Sequence, residues 1–196
     1  MPDPTDLTAA WQTCAAILNL RGNPDDAAFR DGVRQALGAD LPVAACSANL
    51  DAGAQAGLRL IWAGPDDWFV LSRYDTAAAL ELRLRQALAG QHVAVTDVSG
   101  GYTVLELAGA GARELLAQGC PLDLHPRQFR VGQSAGSVFF KASVWLWQTQ
   151  DEPRFEVLVR NSFRGYVALL IERCSAGAVR VRPPAITPAA ALETLP

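Results

Sequence analysis

Few residues in this sequence have the types and spacing that chemistry requires. Gly109-Ala-Gly111-Ala-Arg-Glu114 follows a strand-like segment and opens a helix-like one. In that setting glycines let backbone N–H groups approach a pyrophosphate. The third position of the fingerprint calls for Gly or Ala, and Glu114 there would obstruct helix–strand packing and bring negative charge to a phosphate. The segment therefore reads as a small-residue turn that lets a helix start close to a sheet. Asp97, in TDVSGG, has the chemistry of a general base, but Asp and Ser ahead of Gly-Gly are turn formers that hydrogen-bond their own backbone. Ser99 and Ser162 have no nucleophile elbow and no His placed to activate them, and His125 beside Pro126 reads as a loop residue. Arg160-Asn-Ser-Phe-Arg164 is a basic helix start that could receive an anion or an acidic side chain of a partner. Cys14, Cys46, Cys120 and Cys174 make no CxxC pair, and with only His92 and His125 besides them no zinc site is expected. No residue of this chain is expected to be catalytic, cofactor-binding or metal-binding.

The elements that would position these residues alternate regularly. Residues 1–13 read as an N-terminal arm, held to a surface by Trp11. Residues 14–20 have strand length, and Asn23-Pro24 supplies an N-cap and a first helical position. The helix that follows carries Phe29, Val33 and Leu37 on one stripe and closes at Gly38. After an irregular loop over 39–57, segments 58–63 and 68–72 flank Gly64-Pro65-Asp66-Asp67, a hairpin turn. Asp75 is expected to cap a second helix with Ala77, Leu80, Leu84 and Leu88 on its stripe. Glu81 and Arg85 can pair on its exposed side, and Leu82 points elsewhere. A strand over 93–98 completes β-α-β-β-α-β.

The pattern then repeats. A strand over 102–108, a helix over 110–118, a long connection over 120–136, strands over 137–149 and 154–160, a helix capped by Ser162 and running to about 173, and a last strand over 179–181 follow in order. The expected fold is α+β: one domain over 14–182 made of two fused split β-α-β (ferredoxin-like) halves, 14–98 and 102–182. A Pro/Ala-rich tail, 183–196, follows it. Along the strand at 137–149, Val138, Phe140, Ala142, Val144 and Leu146 fall on the core face. Phe139, Lys141, Ser143, Trp145 and Trp147 fall on the other. Two Trp on a second face need a cover, either a helix of the same chain or a partner chain.

Composition narrows the class. Half of the 196 residues are hydrophobic and 19% are charged, the balance of a soluble globular chain. The formal charge of −3, with a single Lys and scattered Arg, argues against nucleic acid as a partner. The opening MPDPTDLTAAW has neither a basic nor an apolar leader region, and no run approaches about 20 apolar residues. No leader and no membrane span are expected, and the widely separated Cys fit reduced core thiols of the cytoplasm.

Three blocks, GPDDWFVLS at 64–72, VTDVSGGYTVLELAGAGARELLAQGCPLDLHPRQF at 95–129 and FEVLVRNSFRGYV at 155–167, resemble the gamma subunit of heterotetrameric sarcosine oxidase. The likeness spans roughly 14–174. It departs from the family's Arg-Ser-Phe pattern at Asn161, which stands between Arg160 and Ser162. The resemblance implies a fold similar to the N-terminal part of the glycine-cleavage T-protein (aminomethyltransferase) and a place in a complex with alpha, beta and delta chains, chiefly against alpha. It implies oxidation of sarcosine to glycine with hydrogen peroxide, the one-carbon unit leaving as formaldehyde or passing to tetrahydrofolate. FAD, FMN, NAD and zinc, like the tetrahydrofolate, would belong to the other subunits. Candidate interface residues are Trp11, Leu82, Trp145, Trp147, Arg160 and Phe163. The competing reading is a stand-alone folate-binding, aminomethyltransferase-like protein.

Overall fold

A computed structural model of the chain describes residues 7–50 and 57–175, and the backbone of 180–182. The tail at 183–196 and the first six residues of the expected arm lie outside the described residues. The elements run β1 (Thr8–Gln12), β2 (Ala16–Arg21), α1 (Ala27–Leu37), β3 (Ala48–Leu50), β4 (Leu58–Gly64), β5 (Asp67–Ser72), α2 (Ala77–Ala87), β6 (Ala94–Asp97), β7 (Tyr102–Ala108), α3 (Ala112–Ala117), β8 (Ser134–Phe139), β9 (Ala142–Gln150), β10 (Arg154–Arg160), α4 (Arg164–Cys174) and β11 (Arg180–Arg182). They build an α+β fold on two sheets, ordered β3-β4-β5-β2-β6 and β11-β1-β7-β10-β9-β8. Apart from the parallel β1–β11 pair, neighbouring strands are antiparallel.

The layering follows from where the apolar side chains go. In β2 and β5, Leu18, Leu20, Trp68 and Val70 pack under α1 and α2, while Ile17, Phe69 and Leu71 point the other way. In the larger sheet, Leu105, Leu107, Val144, Leu146, Phe155 and Val157 pack under α3 and α4, while Val104, Trp147 and Leu158 point away. Those inner residues meet, so the two sheets stack back to back with helices on both outsides. Strands covered on both faces read as continuous apolar runs, as WFVLS and FEVLV do. The stripe of α1 is buried as its spacing predicts, with Phe29, Val33 and Leu37 inside and Gly38 closing the helix at φ 68°.

Several expectations are corrected. Thr8–Gln12 is a strand, not an arm: β1 lies between β7 and β11 in the larger sheet, and Trp11 is 5% exposed inside the core beneath α3 and α4. The segment 137–149 is two strands, not one. It turns at Phe140-Lys141, with Phe140 in the left-handed region at φ 53° and its N–H donating to Gly119 O at 2.7 Å. The turn inverts the alternation before it, so Phe139 is buried while Val138 and Phe140 are partly exposed. α1 is capped by Asp26 and α2 by Thr76, whose side chains accept from Ala28 N and Ala79 N. Ser162 caps nothing: it sits in a 3-10 turn, Asn161–Phe163, that leads into α4. The loop at 39–57 contains the short strand β3.

Because β1 is an interior strand, Trp11→Ala should lower stability in urea denaturation by about 3–5 kcal/mol, the cost of a large core truncation. An arm anchored only at a surface would lose well under 1 kcal/mol.

Candidate functional site

Of the residues that the sequence singles out for chemistry, Asp97, Ser99 and His125 are engaged in holding their own turns and loops. Asp97 ends β6 and accepts from Ser99 N at 2.9 Å and from Ser99 Oγ at 2.5 Å. These hydrogen bonds, the hydroxyl's first, hold its carboxyl below the usual range. Ser99 Oγ in turn accepts from Ile17 N at 2.9 Å, tying the β6–β7 turn to the start of β2. Such a carboxylate is a poor base, since the bonds that shape the turn also favour its charged form. The glycine turn after β7 is closed on itself: Gly109 N donates to Pro153 O and Leu115 N to Gly111 O, each at 2.9 Å, and Glu114 points to solvent. Arg113 stacks 5.0 Å from the Phe155 ring, donates to Gln148 Oε1 at 2.9 Å, and also donates to Leu124 O. His125 Nδ1 accepts from Arg127 N at 3.2 Å within its own loop. Among the described residues no group of three or more His, Cys, Asp or Glu is arranged to hold a metal ion.

The most buried charges of the described chain lie between the sheets, where the sequence reading did not place them. Glu156 of β10 is 4% exposed. Its Oε1 accepts from Arg73 at 3.0 Å, and its Oε2 accepts from Arg59 Nε at 3.3 Å and from Trp147 Nε1 at 2.8 Å. Arg59 belongs to β4 and Arg73 follows β5, so both guanidiniums come from the opposite sheet. Glu106 sits directly across from Glu156 in the β7–β10 register and pairs with Arg154 at 3.3 Å. Both Glu156 oxygens are thus occupied by cationic or indole donors. Glu156 works as an inter-sheet tie. Its signal in the sequence is a charge inside an apolar strand, as in FEVLV, LRLIW and VLELA.

The candidate interface residues are dispersed. Trp147 is fully buried by the chain's own second sheet, neither by a helix nor by a partner, and Trp11 is equally internal. Trp145 is half-buried and meets the Phe69 ring of the other sheet edge-on, 5.0 Å between centroids. Phe163 is half-buried against Tyr166. Arg160 and Leu82 are exposed, Leu82 at 57% on the outer face of α2. An open groove of about 910 Å³ runs between the start of α1 and the β4–β5 turn, but its one arginine, Arg21, is paired with Asp67 at 2.8 Å.

Replacing Glu156 by Leu leaves two guanidiniums and an indole N–H facing an apolar group. It should cost about 3–5 kcal/mol in urea denaturation, whereas Trp147→Phe, which removes one donor and trims the indole to a smaller phenyl ring, should cost about 1–3 kcal/mol. A smaller loss for Glu156→Leu than for Trp147→Phe would contradict the tie. Burial first, and then the Glu156 carboxylate, pushes the half-buried Cys14 thiol up to about 11, whereas Cys46 is exposed. At pH 8 a thiol reagent should therefore modify Cys46 at least roughly a hundredfold faster than Cys14, with Cys14 accelerating only in denaturant.

With this geometry in place, comparison with known proteins is informative. The model of the sarcosine oxidase, gamma subunit family matches residues 21–177. The sarcosine oxidase subunit gamma of Corynebacterium sp. (strain P-1) is 32% identical over 149 residues, 76% of this chain and 70% of that one. That of an Arthrobacter species is 37% identical over 101 residues, 52% and 49% of the two chains. Among solved structures, the heterotetrameric sarcosine oxidase from Corynebacterium sp. U-96 in complex with pyrrole 2-carboxylate contains a chain that superposes with a TM-score of 0.77 at 30% identity, covering 89% of this chain and 86% of that chain. The glycine cleavage system aminomethyltransferase T from Bartonella henselae superposes with a TM-score of 0.65 at 14% identity over 89% of this chain and 47% of its own, a likeness of fold. The family model thus spans the four helices and strands β3 to β10, and this chain belongs to the sarcosine oxidase gamma subunit family.

Proposed function

We propose that the chain is a non-catalytic gamma subunit of a heterotetrameric sarcosine oxidase, working in assembly. The observation that carries this reading is the superposition on a chain of such a heterotetramer across 86% of that chain's length. The engagement of Asp97, Arg113 and Glu156 in structural hydrogen bonds supports it from the chemical side. In this reading the complex demethylates sarcosine oxidatively to glycine, with hydrogen peroxide and either formaldehyde or methylene-tetrahydrofolate as the other products. The other three subunits hold FAD, FMN, NAD, zinc and the folate. The alpha chain is the main partner, and the assembly works in the cytoplasm. Among the described residues no helix is long and apolar enough to cross a membrane.

Co-expression with candidate alpha, beta and delta chains tests this. The expected result is one complex containing all four chains, with sarcosine-dependent peroxide production in the complex and none from the isolated chain. A stable monomer that never joins the other three overturns the reading. Tetrahydrofolate binding to the isolated chain at micromolar affinity or tighter would instead favour a stand-alone folate-binding, aminomethyltransferase-like protein.

A further inference from the structure

Seven arginines of the described chain, Arg21, Arg34, Arg59, Arg73, Arg83, Arg85 and Arg154, have a carboxylate within 4.0 Å. Arg160, at the end of β10, and Arg164, at the start of α4, are among the described arginines that have none, and both lie over aromatic rings. The Arg160 guanidinium lies over the Tyr102 ring at 5.2 Å and that of Arg164 over the Trp11 ring at 5.2 Å. Among the described residues neither has a carboxylate within 4.0 Å. Both rings and Arg164 wall a cleft of about 210 Å³ whose other sides include Gln12, Thr13, Ser99, Thr103 and Asn161, with no acidic side chain among the described residues that line it; Arg160 stands just outside that lining, over the Tyr102 ring. The acid at this corner, Asp97, is already held by Ser99, and Asn161 is fixed by donating to Gly100 O at 2.7 Å.

We propose that this corner, Arg160 and Arg164 over Tyr102 and Trp11, is the docking point for an acidic segment of a neighbouring subunit that presents carboxylates to the two guanidiniums. The proposal rests on the subunit reading above. Charge complementarity argues for the occupant, since in a chain of net charge −3 this corner gathers two guanidiniums with no carboxylate within 4.0 Å among the described residues. The cleft argues for a side chain over a cofactor, because it is smaller than the roughly 300–1,000 Å³ that small-molecule sites occupy. Stacking argues for affinity. A guanidinium already held over a ring loses less freedom when it binds, and its planar fork matches a carboxylate in bidentate fashion. Arg, Trp and Tyr are the side chains in which interface energy concentrates.

The test uses the full chain and its three co-expressed partners. Affinity of the wild-type chain for the other three should fall steeply between about 50 and about 500 mM salt, as expected for exposed ion pairs. The double variant Arg160→Glu/Arg164→Glu should bind about 100-fold or more weakly and lose that salt dependence, roughly tenfold per pair. Arg160→Gln/Arg164→Gln, which adds no charge, should show an intermediate loss. Arg160→Lys/Arg164→Lys should recover part of it. The isolated variants should keep the far-UV circular dichroism of the wild type. Assembly of the charge-reversed chain with wild-type affinity and salt dependence overturns the docking proposal alone. Failure of the wild-type chain to assemble overturns the subunit reading and this proposal with it. Binding of inorganic phosphate or citrate to the isolated wild-type chain at micromolar affinity, with assembly of the variants unaffected, would make the corner a small-anion site and likewise overturn the proposal.

Discussion

Everything in this chain rests on the contact between two sheets, and one end of that contact holds a carboxylate taken out of water. The apolar part is straightforward: Ile17, Ile61, Phe69 and Leu71 of one sheet meet Val104, Trp147 and Leu158 of the other. Apolar contact is non-directional and would tolerate small slides. The Glu156 cluster is not tolerant in that way. Its oxygens take donors from Arg59 and Arg73 of the opposite sheet and from Trp147 of its own, and a shift of an ångström or two would leave a buried charge unsatisfied. Burial supplies the attraction between the layers, and the ion cluster sets where one layer sits on the other.

The fold was legible where a local rule and the tertiary environment agreed. The stripe of α1, the Gly38 stop, the Pro65-Asp66 turn and the strand at Tyr102–Ala108 each obey a short-range preference that packing does not oppose. It was illegible where packing overrode the preference. Phe140-Lys141 has none of the residues that ordinarily make a tight turn, and a bulky residue at positive φ is uncommon. Phe140 is held there because its ring lies against Gly119, where an added Cβ would stand 2.3 Å from the ring, and because its N–H reaches the Gly119 carbonyl. Both constraints come from a residue 21 positions earlier, which no window of neighbours reveals. β1 was missed for a related reason: its partners, β7 and β11, lie far along the chain.

The candidate site divides the same way. Asp97 as a turn former, and the glycine turn as the start of a short helix, follow from side-chain chemistry within five residues. The Trp face does not. Period-two alternation places Trp145 and Trp147 together, but what covers them is a matter of topology. A sheet was not weighed as a cover because the two halves were read as lying in one body without an assigned order of layers. Glu156, Arg59 and Glu106 carry no motif that marks them in the sequence. On strands buried on both faces, an isolated charge must meet its opposite, and that inference becomes available once the back-to-back stacking is known.

The insertion of β1 between β7 and β11 has a kinetic consequence. Among the described strands the first, β1, is flanked by the last, β11, since Thr8 aligns with Arg180 and Ala10 with Arg182. The smaller sheet, β2 to β6, can close as soon as residue 97 has emerged. The larger one needs strands out to residue 160, and β1, which can pair with β7 once residue 108 has emerged, keeps its other edge open until β11 follows. Pairings of such sequence separation are the slow ones, because loop closure must precede the contacts that reward it. Nascent chains with an open edge are also the ones that associate wrongly. β1 and β11 thus act as a clasp that fastens the larger sheet after its other strands have formed.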